Sequence, residues 1–546
     1  MKIIPFSVCT SLALLGSFAC GSSKQPGSEI GAVAGAGTTL PPSSGGASGG
    51  SAPINTNAGT GSLIIDPTTG VAGSSTGSGS TCDPANNGTS ISGIVRDPGG
   101  KNPLYNISVF VLDSSSPLPD LDKIPVSCGC TQLLPAKVKA ISAPTDTSGH
   151  FSIPCAPSGT VSLVVQTGKW RRQYDNIVVK PNQDNVVPDM RLPANSSEGS
   201  LPNIAISTGG SDSFECLPLR LGVSASEYVA GSNTGGHIHI YTGHNGATPA
   251  QGAVDSYKTL WDSQEHLNEH DVVVLSCEGQ ETTGGTPGMR VNATQQQYLM
   301  NYANAGGRVF ASHYQYAWFN TGPFATGANN LATWSPPRQP GSDSIDDKSA
   351  IPSEIDTTLS TGAAFPEGTA LQQWLGLVNA LTNNQLPVWF ARSNVKALVQ
   401  PPSTEWIHLA ASVEKAPSAP MYFSADTPIG AADGAVCGRV VYSDLHVSGG
   451  PNTNAPGVPV DYPLESGGAG GASGTGNGMA GAAGFTFGNP GGPGAIPMGG
   501  IMQGGTVPTG CAMHPLTPQE AALEFMFFDL SSCLVPIGEE PPVVPK

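Results

Sequence analysis

Residues Asn301–Phe319 read NYANAGGRVFASHYQYAWF. The stretch predicts the end of a helix, a stop at Gly306 and Gly307, a short apolar strand over Val309–Ala311, and His313 where that strand finishes. Two further segments have the same construction, a buried strand followed at once by polar and reactive groups. They are HDVVVLSCEG from His270, which ends in Cys277 and Glu278, and GRVVYSDLHV from Gly438, which ends in His446.

Three strands of this kind predict a parallel sheet. In open α/β sheets, ligands bind outside the carboxyl ends of the strands. We therefore expect Cys277, Glu278, His313 and His446 to converge on one crevice. The segment Asn203–Ser207 predicts the first parallel strand of the same domain.

Several of these segments resemble known families. YANAGGRVFASHY and CGRVVYSDLHV resemble the trehalose-utilisation (ThuA-like) branch of the class I glutamine-amidotransferase-like fold, and ISGIVRDPGGKNPLYNISVFVLD with TDTSGHFSIP resembles a carboxypeptidase regulatory-like β-sandwich. The resemblances cover most of Thr89–Cys533. They imply a multidomain fold class, an antiparallel β-sandwich followed by a flavodoxin-like α/β domain with a mostly parallel sheet. ThuA-like proteins are associated with sugar metabolism, so the resemblance also implies a carbohydrate-related site.

Composition divides the 546-residue chain, because its 71 Gly and 49 Pro are unevenly spread. We expect a disordered Gly/Ser linker over 21–81, a sandwich over 82–195, an α/β domain over 200–535 and a tail over 536–546. The α/β domain contains an insertion, 320–386, expected to lie over the crevice, and a Gly-rich loop, 448–509. A net charge of −17 and the lack of long basic runs argue against a nucleic-acid partner.

The N-terminus has the features of a targeting segment. Lys2 precedes a mainly apolar run, and LGSFAC ends at Cys20 before a Gly/Ser stretch. The arrangement resembles a bacterial lipoprotein signal over residues 1–20, which implies that Cys20 carries a lipid and anchors the chain to a membrane of the cell envelope. The alternative is ordinary secretion with cleavage near Ala19.

Cysteine usage predicts disulfides in an exported protein. Of the 11 cysteines, nine remain once Cys9 and Cys20 are set aside, so at least one is left over. Cys128 and Cys130 are expected to be two half-cystines in one loop. Their candidate partners are Cys82 and Cys155, and the other expected bonds are Cys216–Cys277 and Cys437–Cys533.

Short strands separated by turn residues predict the sandwich. Asp97-Pro98-Gly99-Gly100 is expected to be a hairpin turn between its first two strands. Trp170, in the run KWRR, belongs either to an exposed contact patch or, as we prefer, to the core.

Weaker signals suggest ligand contacts in the α/β domain. Gly209, Gly210, Ser211 and Asp212 follow the first strand and suit an anion at a helix N-terminus, although the same residues also make an ordinary N-cap. Tyr314 beside His313 is a further candidate ligand contact. His237 and His239 alternate on one strand, either as a metal pair or, preferably, as an exposed polar face.

Three kinds of chemistry fit the expected crevice. In a thiol enzyme, Cys277 would attack, His313 or His446 would act as base, and Glu278 would orient it, but the expected Cys216–Cys277 disulfide argues against this. In a divalent-metal site, His313 and His446 would be joined by Asp444 or Glu278. Histidines at strand ends can also be purely structural.

The function favoured by the sequence is therefore binding or presentation at the cell envelope. A carbohydrate or a cell-surface protein is the expected partner. The alternative is a carbohydrate-modifying or hydrolytic enzyme that uses His313, His446 and a carboxylate.

Overall fold

The computed structural model describes residues 63–64, 86–243, 246, 255–279, 291–335, 343–346, 349–432, 434–447, 511 and 513–544. The predicted signal peptide with Cys20, Cys82, and the predicted loop 448–509 lie outside these residues. Thr60–Lys546 forms one compact unit.

The first part of the chain is built from ten strands. They are β1 (Leu63–Ile64), β2 (Ser90–Arg96), β3 (Ser108–Leu112), β4 (Lys137–Ile141), β5 (His150–Pro154), β6 (Gly159–Thr167), β7 (Trp170–Val179), β8 (Asp184–Val186), β9 (Met190–Arg191) and β10 (Gly199–Ser200). One sheet has the order β1-β4-β3-β6-β7-β10, and the other has β5-β2-β8, with β9 also paired to β2. Side chains from both sheets, such as Ile91 and Leu163, share one buried cluster, which is compatible with the predicted sandwich.

One expectation for this region is wrong. Residues 97–100 do form a tight turn, since the Gly100 N–H donates to the Asp97 carbonyl at 2.9 Å, and Arg96 pairs antiparallel with Pro103 across it. The turn does not join the first two predicted strands in a hairpin, because β2 and β3 belong to different sheets. The predicted linker 21–81 also contains a strand, β1, which pairs antiparallel with β4 at the edge of the six-stranded sheet.

The second part of the chain supplies twelve more strands. They are β11 (Ile204–Ser207), β12 (Tyr228–Ala230), β13 (Ile238–Tyr241), β14 (Val272–Leu275), β15 (Arg308–Ser312), β16 (Ala332–Trp334), β17 (Ile351–Ile355), β18 (Leu386–Val388), β19 (Val395–Leu398), β20 (Thr404–Leu409), β21 (Pro420–Thr427) and β22 (Gly438–Ser443). Ten of them form one mixed sheet in the order β12-β13-β11-β14-β15-β22-β21-β20-β17-β18.

The parallel part of this sheet comprises β12, β13, β11, β14, β15 and β22. The other four strands extend it in antiparallel fashion. Strands β16 and β19 form a separate antiparallel ribbon. The predicted insertion 320–386 therefore does more than cover a crevice, because it contributes β17 to the sheet itself.

Six α-helices accompany the strands. They are α1 (Leu217–Arg220), α2 (Tyr257–Leu260), α3 (Gln264–Asn268), α4 (Ala293–Asn304), α5 (Pro366–Leu377) and α6 (Pro518–Ser531). Helix α4 begins at an Asn292 capping box and ends before Gly306, whose φ of 114° suits a residue without a Cβ. Within the described residues, no helix is long and apolar enough to cross a membrane.

Helix α6 joins the two parts of the molecule. It begins at a capping box, in which Glu520 Oε2 accepts the Thr517 N–H at 2.9 Å. Nearly every residue of the helix is buried, as expected for a helix covered on all sides. On the sandwich side, the Trp170 ring lies 5.7 Å from the Phe528 ring, measured between centroids. Trp170 is thus a core residue, as preferred.

Two disulfides join the same two parts, and a third lies within the second part. Cys128 bonds to Cys437, Cys130 bonds to Cys533, and Cys216 bonds to Cys511. Cys128 and Cys130 are half-cystines in one loop, as expected, but the predicted Cys437–Cys533 bond is wrong, because each of these cysteines meets the sandwich loop instead. Cys155 is also disulfide-bonded. These bonds indicate an extracellular or otherwise oxidising compartment.

A buried pair of carboxyl groups lies at the contact between the two parts. Glu524 on α6 and Asp97 in the sandwich turn are both almost inaccessible to solvent. Asn102 Nδ2 donates to Glu524 Oε2 at 2.6 Å, and the Lys101 N–H donates to Asp97 Oδ1 at 2.7 Å. Burial raises the pKa of both groups, and the charge of Asp97 raises the pKa of Glu524 further.

We predict that Glu524→Gln stabilises the protein at pH 8 but not at pH 4. Glu524 has a raised pKa in the folded chain, so above the ordinary glutamate pKa of 4.5 the unfolded chain loses its proton first, and stability falls as pH rises. Gln keeps the shape of the protonated group and removes this loss, which should be worth about 1–2 kcal/mol. Urea unfolding at both pH values measures the difference.

The control is Glu414→Gln, since Glu414 is exposed. It should leave the free energy of unfolding unchanged at both pH values. An equal effect of the two substitutions at pH 8 would show that the buried pair has no special role in stability.

Candidate functional site

The carboxyl ends of three parallel strands bring the predicted residues together. Strand β14 is in register with β15, with Leu275 opposite Ala311, and β15 is in register with β22, with Ser312 opposite Ser443. The residues just beyond these strands therefore meet at one edge of the sheet. They are Cys277 and Glu278 after β14, His313 after β15, and Asp444 and His446 after β22.

Cys277 is a buried thiol that takes part in no disulfide. Its Sγ lies 3.1 Å from Nδ1 of His313, and both side chains are completely buried. The expected Cys216–Cys277 disulfide is wrong, because Cys216 bonds to Cys511 instead. The main reason to reject a reactive Cys277 is thereby removed.

Asp343 completes a chain of three groups. His313 Nε2 lies 2.8 Å from Asp343 Oδ2, while Nδ1 faces the sulfur. A thiol, an imidazole and a carboxylate in this order form a nucleophile, a base and a group that orients the base. Asp343 lies in the predicted insertion, and nothing in its local sequence distinguished it from the neighbouring acidic residues Asp346 and Asp347.

His313 occupies a strained turn. Its φ is 45°, in the left-handed region that residues with a Cβ seldom adopt. It ends β15 and begins a 3₁₀ helix, His313–Trp318, so its imidazole projects from a sharp strand-to-helix turn. The Tyr442 hydroxyl lies 3.0 Å from the His313 carbonyl oxygen and 2.8 Å from Asp444 Oδ1. Strain of this kind costs roughly 1–3 kcal/mol and is concentrated at functional sites.

The surroundings favour a charged His313. Burial alone would lower its pKa, but the charge of the Cys277 sulfur and the bond to Asp343 raise the pKa of His313 well above its ordinary value. Burial would raise the pKa of Asp343, yet the bond to His313 and the charges of His313 and Arg392 lower it overall. A charged His313 therefore lies between the Cys277 sulfur and the Asp343 carboxylate.

His446 lies on the other side of His313. The two rings are 5.0 Å apart between centroids and nearly perpendicular. Burial, the charge of His313 and the charge of Arg392 together lower the pKa of His446 well below its usual range, against a smaller opposing effect of the Phe390 backbone. His446 is therefore neutral beside a charged neighbour.

The side chains that lie close enough together to bind a metal ion are not the ones expected from the sequence. Atoms of Cys277, His313 and His446 all lie within 4.8 Å of one another. Asp444, one of the predicted ligands, is instead bonded to Tyr442, and burial raises its pKa to about 6. A second such group, Asp356, Glu405 and His408, lies on the antiparallel half of the sheet and is partly exposed.

Glu278 occupies a different position from the one expected for the orienting group. It is buried, and its Oε1 would lie 2.7 Å from a Cβ added to Gly243. The carboxylate bonded to His313 is Asp343. Tyr314, the other predicted neighbour, is buried with its ring 4.2 Å from the His313 ring between centroids.

The loop after β11 packs against the end of β14. A Cβ on Gly209 would lie 2.0 Å from the Cys277 carbonyl oxygen, and the Ser211 N–H donates to that oxygen at 3.1 Å. Asp212 accepts the Val447 N–H at 2.8 Å and a hydrogen bond from Ser312, and burial raises its pKa to about 7. Gly210 belongs to the same loop. The helix expected to offer an anion site is only Leu217–Arg220.

His237 and His239 do not form the exposed polar face that we preferred. His239 is buried, with Nδ1 2.8 Å from the Gly231 carbonyl oxygen, and its ring packs against His270. His237 Nδ1 bonds to Glu227 at 2.7 Å. All four residues of β13 are buried, so both of its faces are covered, which is why alternation did not indicate solvent here.

Comparison with known proteins adds little. No protein-family model matches the chain, and no characterised protein matches its sequence. Chains from two cohesin–X-dockerin complexes of Acetivibrio cellulolyticus are each 14% identical to this chain. The first match covers 23% of this chain and 79% of the other, with a TM-score of 0.14. The second covers 28% of this chain and 88% of the other, with a TM-score of 0.15. A cytoplasmic protein from Salmonella typhimurium is 12% identical over 44% of this chain and 87% of its own, with a TM-score of 0.23. Similarities this weak say nothing about fold or function here.

We predict that Cys277 is recovered as a free thiol. When the protein is denatured in iodoacetamide without reductant and digested, the Cys277 peptide should carry the alkyl group and Cys216 should remain joined to Cys511. Mass spectrometry of the peptides makes the measurement. A peptide pair linking Cys216 to Cys277 would contradict the site described here.

Proposed function

We propose that the chain is an exported thiol-dependent hydrolase that acts on acyl compounds, either esters or amides. The observation that carries the proposal is the continuous chain Cys277, His313 and Asp343, with separations of 3.1 Å and 2.8 Å. Three side chains from separate parts of the sequence have the order and the distances that nucleophilic catalysis requires.

The reaction uses the groups in turn. The Cys277 thiolate attacks the substrate carbonyl, and the His313 imidazolium gives its proton to the leaving alcohol or amine, which leaves a thioester on Cys277. His313 then takes a proton from water, and the resulting hydroxide attacks the thioester. The acid is released, and the proton on His313 restores the starting ion pair. Asp343 keeps the imidazole ring oriented with Nδ1 toward the sulfur throughout.

The strand order supports a flavodoxin-type α/β domain. Setting aside the edge strand β12, the parallel strands run β13-β11-β14-β15-β22. In chain order this is 2-1-3-4-5, with the reversal of direction between β11 and β14. Cys277 follows β14, so the proposed nucleophile lies beside this switch point. The strand order also supports the resemblance to the class I glutamine-amidotransferase-like fold. This chain departs from that family in one respect, because a histidine, not a cysteine, occupies the strained strand-to-helix turn.

We place this activity at the cell envelope, with Cys20 as the lipid anchor. The disulfides support export, and the lipoprotein-like sequence LGSFAC supports anchoring. The carboxypeptidase regulatory-like sandwich, in this proposal, stabilises the hydrolase instead of acting alone. Binding or presentation of a carbohydrate or cell-surface protein without catalysis is the competing function, and it predicts an inert Cys277.

We predict that Asp343→Ala slows acyl transfer roughly 100-fold to 10,000-fold, because His313 loses the group that orients it. The probe is p-nitrophenyl acetate, with release of p-nitrophenol as the rate and an acetyl group on the Cys277 peptide as the product. Cys277→Ser should show neither. Peptide mapping of the Cys128–Cys437, Cys130–Cys533 and Cys216–Cys511 disulfides establishes that each variant is folded.

The matched control is Asp356→Ala. Asp356 Oδ2 lies 3.0 Å from His408 Nδ1, so this is a histidine–carboxylate pair in the same sheet without a cysteine. The control should keep the rate within twofold of the native protein. Equal rates for Asp343→Ala and Asp356→Ala, or acetyl transfer to a residue other than Cys277, would rule out the proposed hydrolase.

A further inference from the structure

We propose that Cys277, His313 and His446 also form a binding site for one Zn²⁺ ion, which switches the thiol off when it binds. The metal site stands on its own geometry. Its regulatory effect rests on the proposed hydrolase function.

The ligand set is suited to this ion. One thiolate sulfur and two imidazole nitrogens are the donors that Zn²⁺ and other borderline-soft ions prefer over carboxylate oxygen. The three donor atoms lie within 4.8 Å of one another. A tetrahedral Zn²⁺ holds sulfur about 2.3 Å and nitrogen about 2.0 Å away, which puts its ligands roughly 3–4 Å apart. A shift of about 1 Å therefore closes the site.

The surroundings of His446 support the metal site independently of the distances between the donor atoms. Its side chain is 2% exposed, and neither ring nitrogen has a hydrogen-bond partner of good geometry among the described residues. Leaving a buried polar group unsatisfied costs about 1–3 kcal/mol, so such a group calls for an explanation. The hydrolase chain of Cys277, His313 and Asp343 does not use His446. A metal ion bound beside His313 would give a ring nitrogen of His446 a partner.

Asp343 has a role both in the metal-free protein and in the metal-bound protein. In zinc sites a ligating histidine usually presents its second ring nitrogen to a carboxylate, which fixes the ring and increases its basicity. His313 Nε2 already lies 2.8 Å from Asp343 Oδ2, and Nδ1 faces the sulfur. Three protein ligands leave one position of the ion for water.

Binding would exchange a proton for the metal. Zn²⁺ takes the place of the proton held between Cys277 Sγ and His313 Nδ1, and that proton goes to solvent. The sulfur electron pair that would attack a carbonyl is then donated to the ion, and Nδ1 can no longer carry a proton to the leaving group. Removal of the ion returns both groups to the hydrolase.

Cobalt is the direct probe, because a thiolate bound to Co²⁺ gives a near-ultraviolet charge-transfer band. The full chain, without a histidine tag or reductant and with its disulfides intact, is titrated with Co²⁺ and then with Zn²⁺. We expect one equivalent of Co²⁺ to produce the band and Zn²⁺ to displace it. Cys277→Ser should abolish the band, and His446→Gln should weaken binding at least about 100-fold.

His408→Ala is the matched control, because His408 belongs to the partly exposed group Asp356, Glu405 and His408. It should bind Co²⁺ as the native protein does. A band that survives Cys277→Ser, or metal binding lost with His408→Ala, would overturn the site. Peptide mapping of the same three disulfides that were named for the hydrolase variants again establishes that each variant is folded.

Alkylation and acyl transfer separate the metal site from the hydrolase. Zn²⁺ should protect native Cys277 from iodoacetamide and stop acetyl transfer, and a chelator should reverse both effects. Acetyl transfer by a protein that binds no Co²⁺ would overturn the metal site and leave the hydrolase standing. Metal binding by a protein inert to p-nitrophenyl acetate after chelation would support the site and overturn its regulatory role.

Discussion

Parallel pairing in a common register is the constraint on which the site depends. Strands β14, β15 and β22 end level with one another, so the residues that follow them meet without any long loop. A slip of one residue would turn the side chains of a strand to the opposite face of the sheet. In a strand buried on both faces, such as VVVL over Val272–Leu275, a slip would also move the polar residues Ser276 to Glu278 into places now taken by packed apolar side chains. The burial of the sheet therefore fixes the distance between Cys277 and His313.

The sequence was informative wherever structure follows from local pattern. The three strand ends that carry Cys277, His313 and His446 could be located because apolar runs and glycine stops depend on neighbouring residues. Asp343 could not be found, since an acidic residue in a long insertion has no local mark of its contact with His313. The disulfide partners could not be predicted either. Pairing depends on how the two parts of the chain pack together, and the spacing of cysteines in the sequence does not show this.

The sandwich is an integral part of the molecule. Helix α6 is covered by the large sheet on one side and by Trp170 and Tyr105 of the sandwich on the other. The carboxyl pair of Asp97 and Glu524 lies in the same contact, and two disulfides cross it. Removal of the sandwich would expose the side of this apolar helix that faces Trp170 and Tyr105 to water, so the α/β part depends on it for stability.

The loop Cys128-Gly129-Cys130 has a consequence for how the protein is made. Its cysteines are bonded to partners 309 and 403 residues further along the chain. A chain that emerges from its N-terminus presents two reduced thiols, one residue apart, long before either partner has been synthesised. Premature oxidation of this pair to each other or to a foreign thiol would have to be undone by exchange. Biogenesis of the protein therefore calls for a disulfide isomerase, and for delay of the last bonds until the C-terminal helix has arrived.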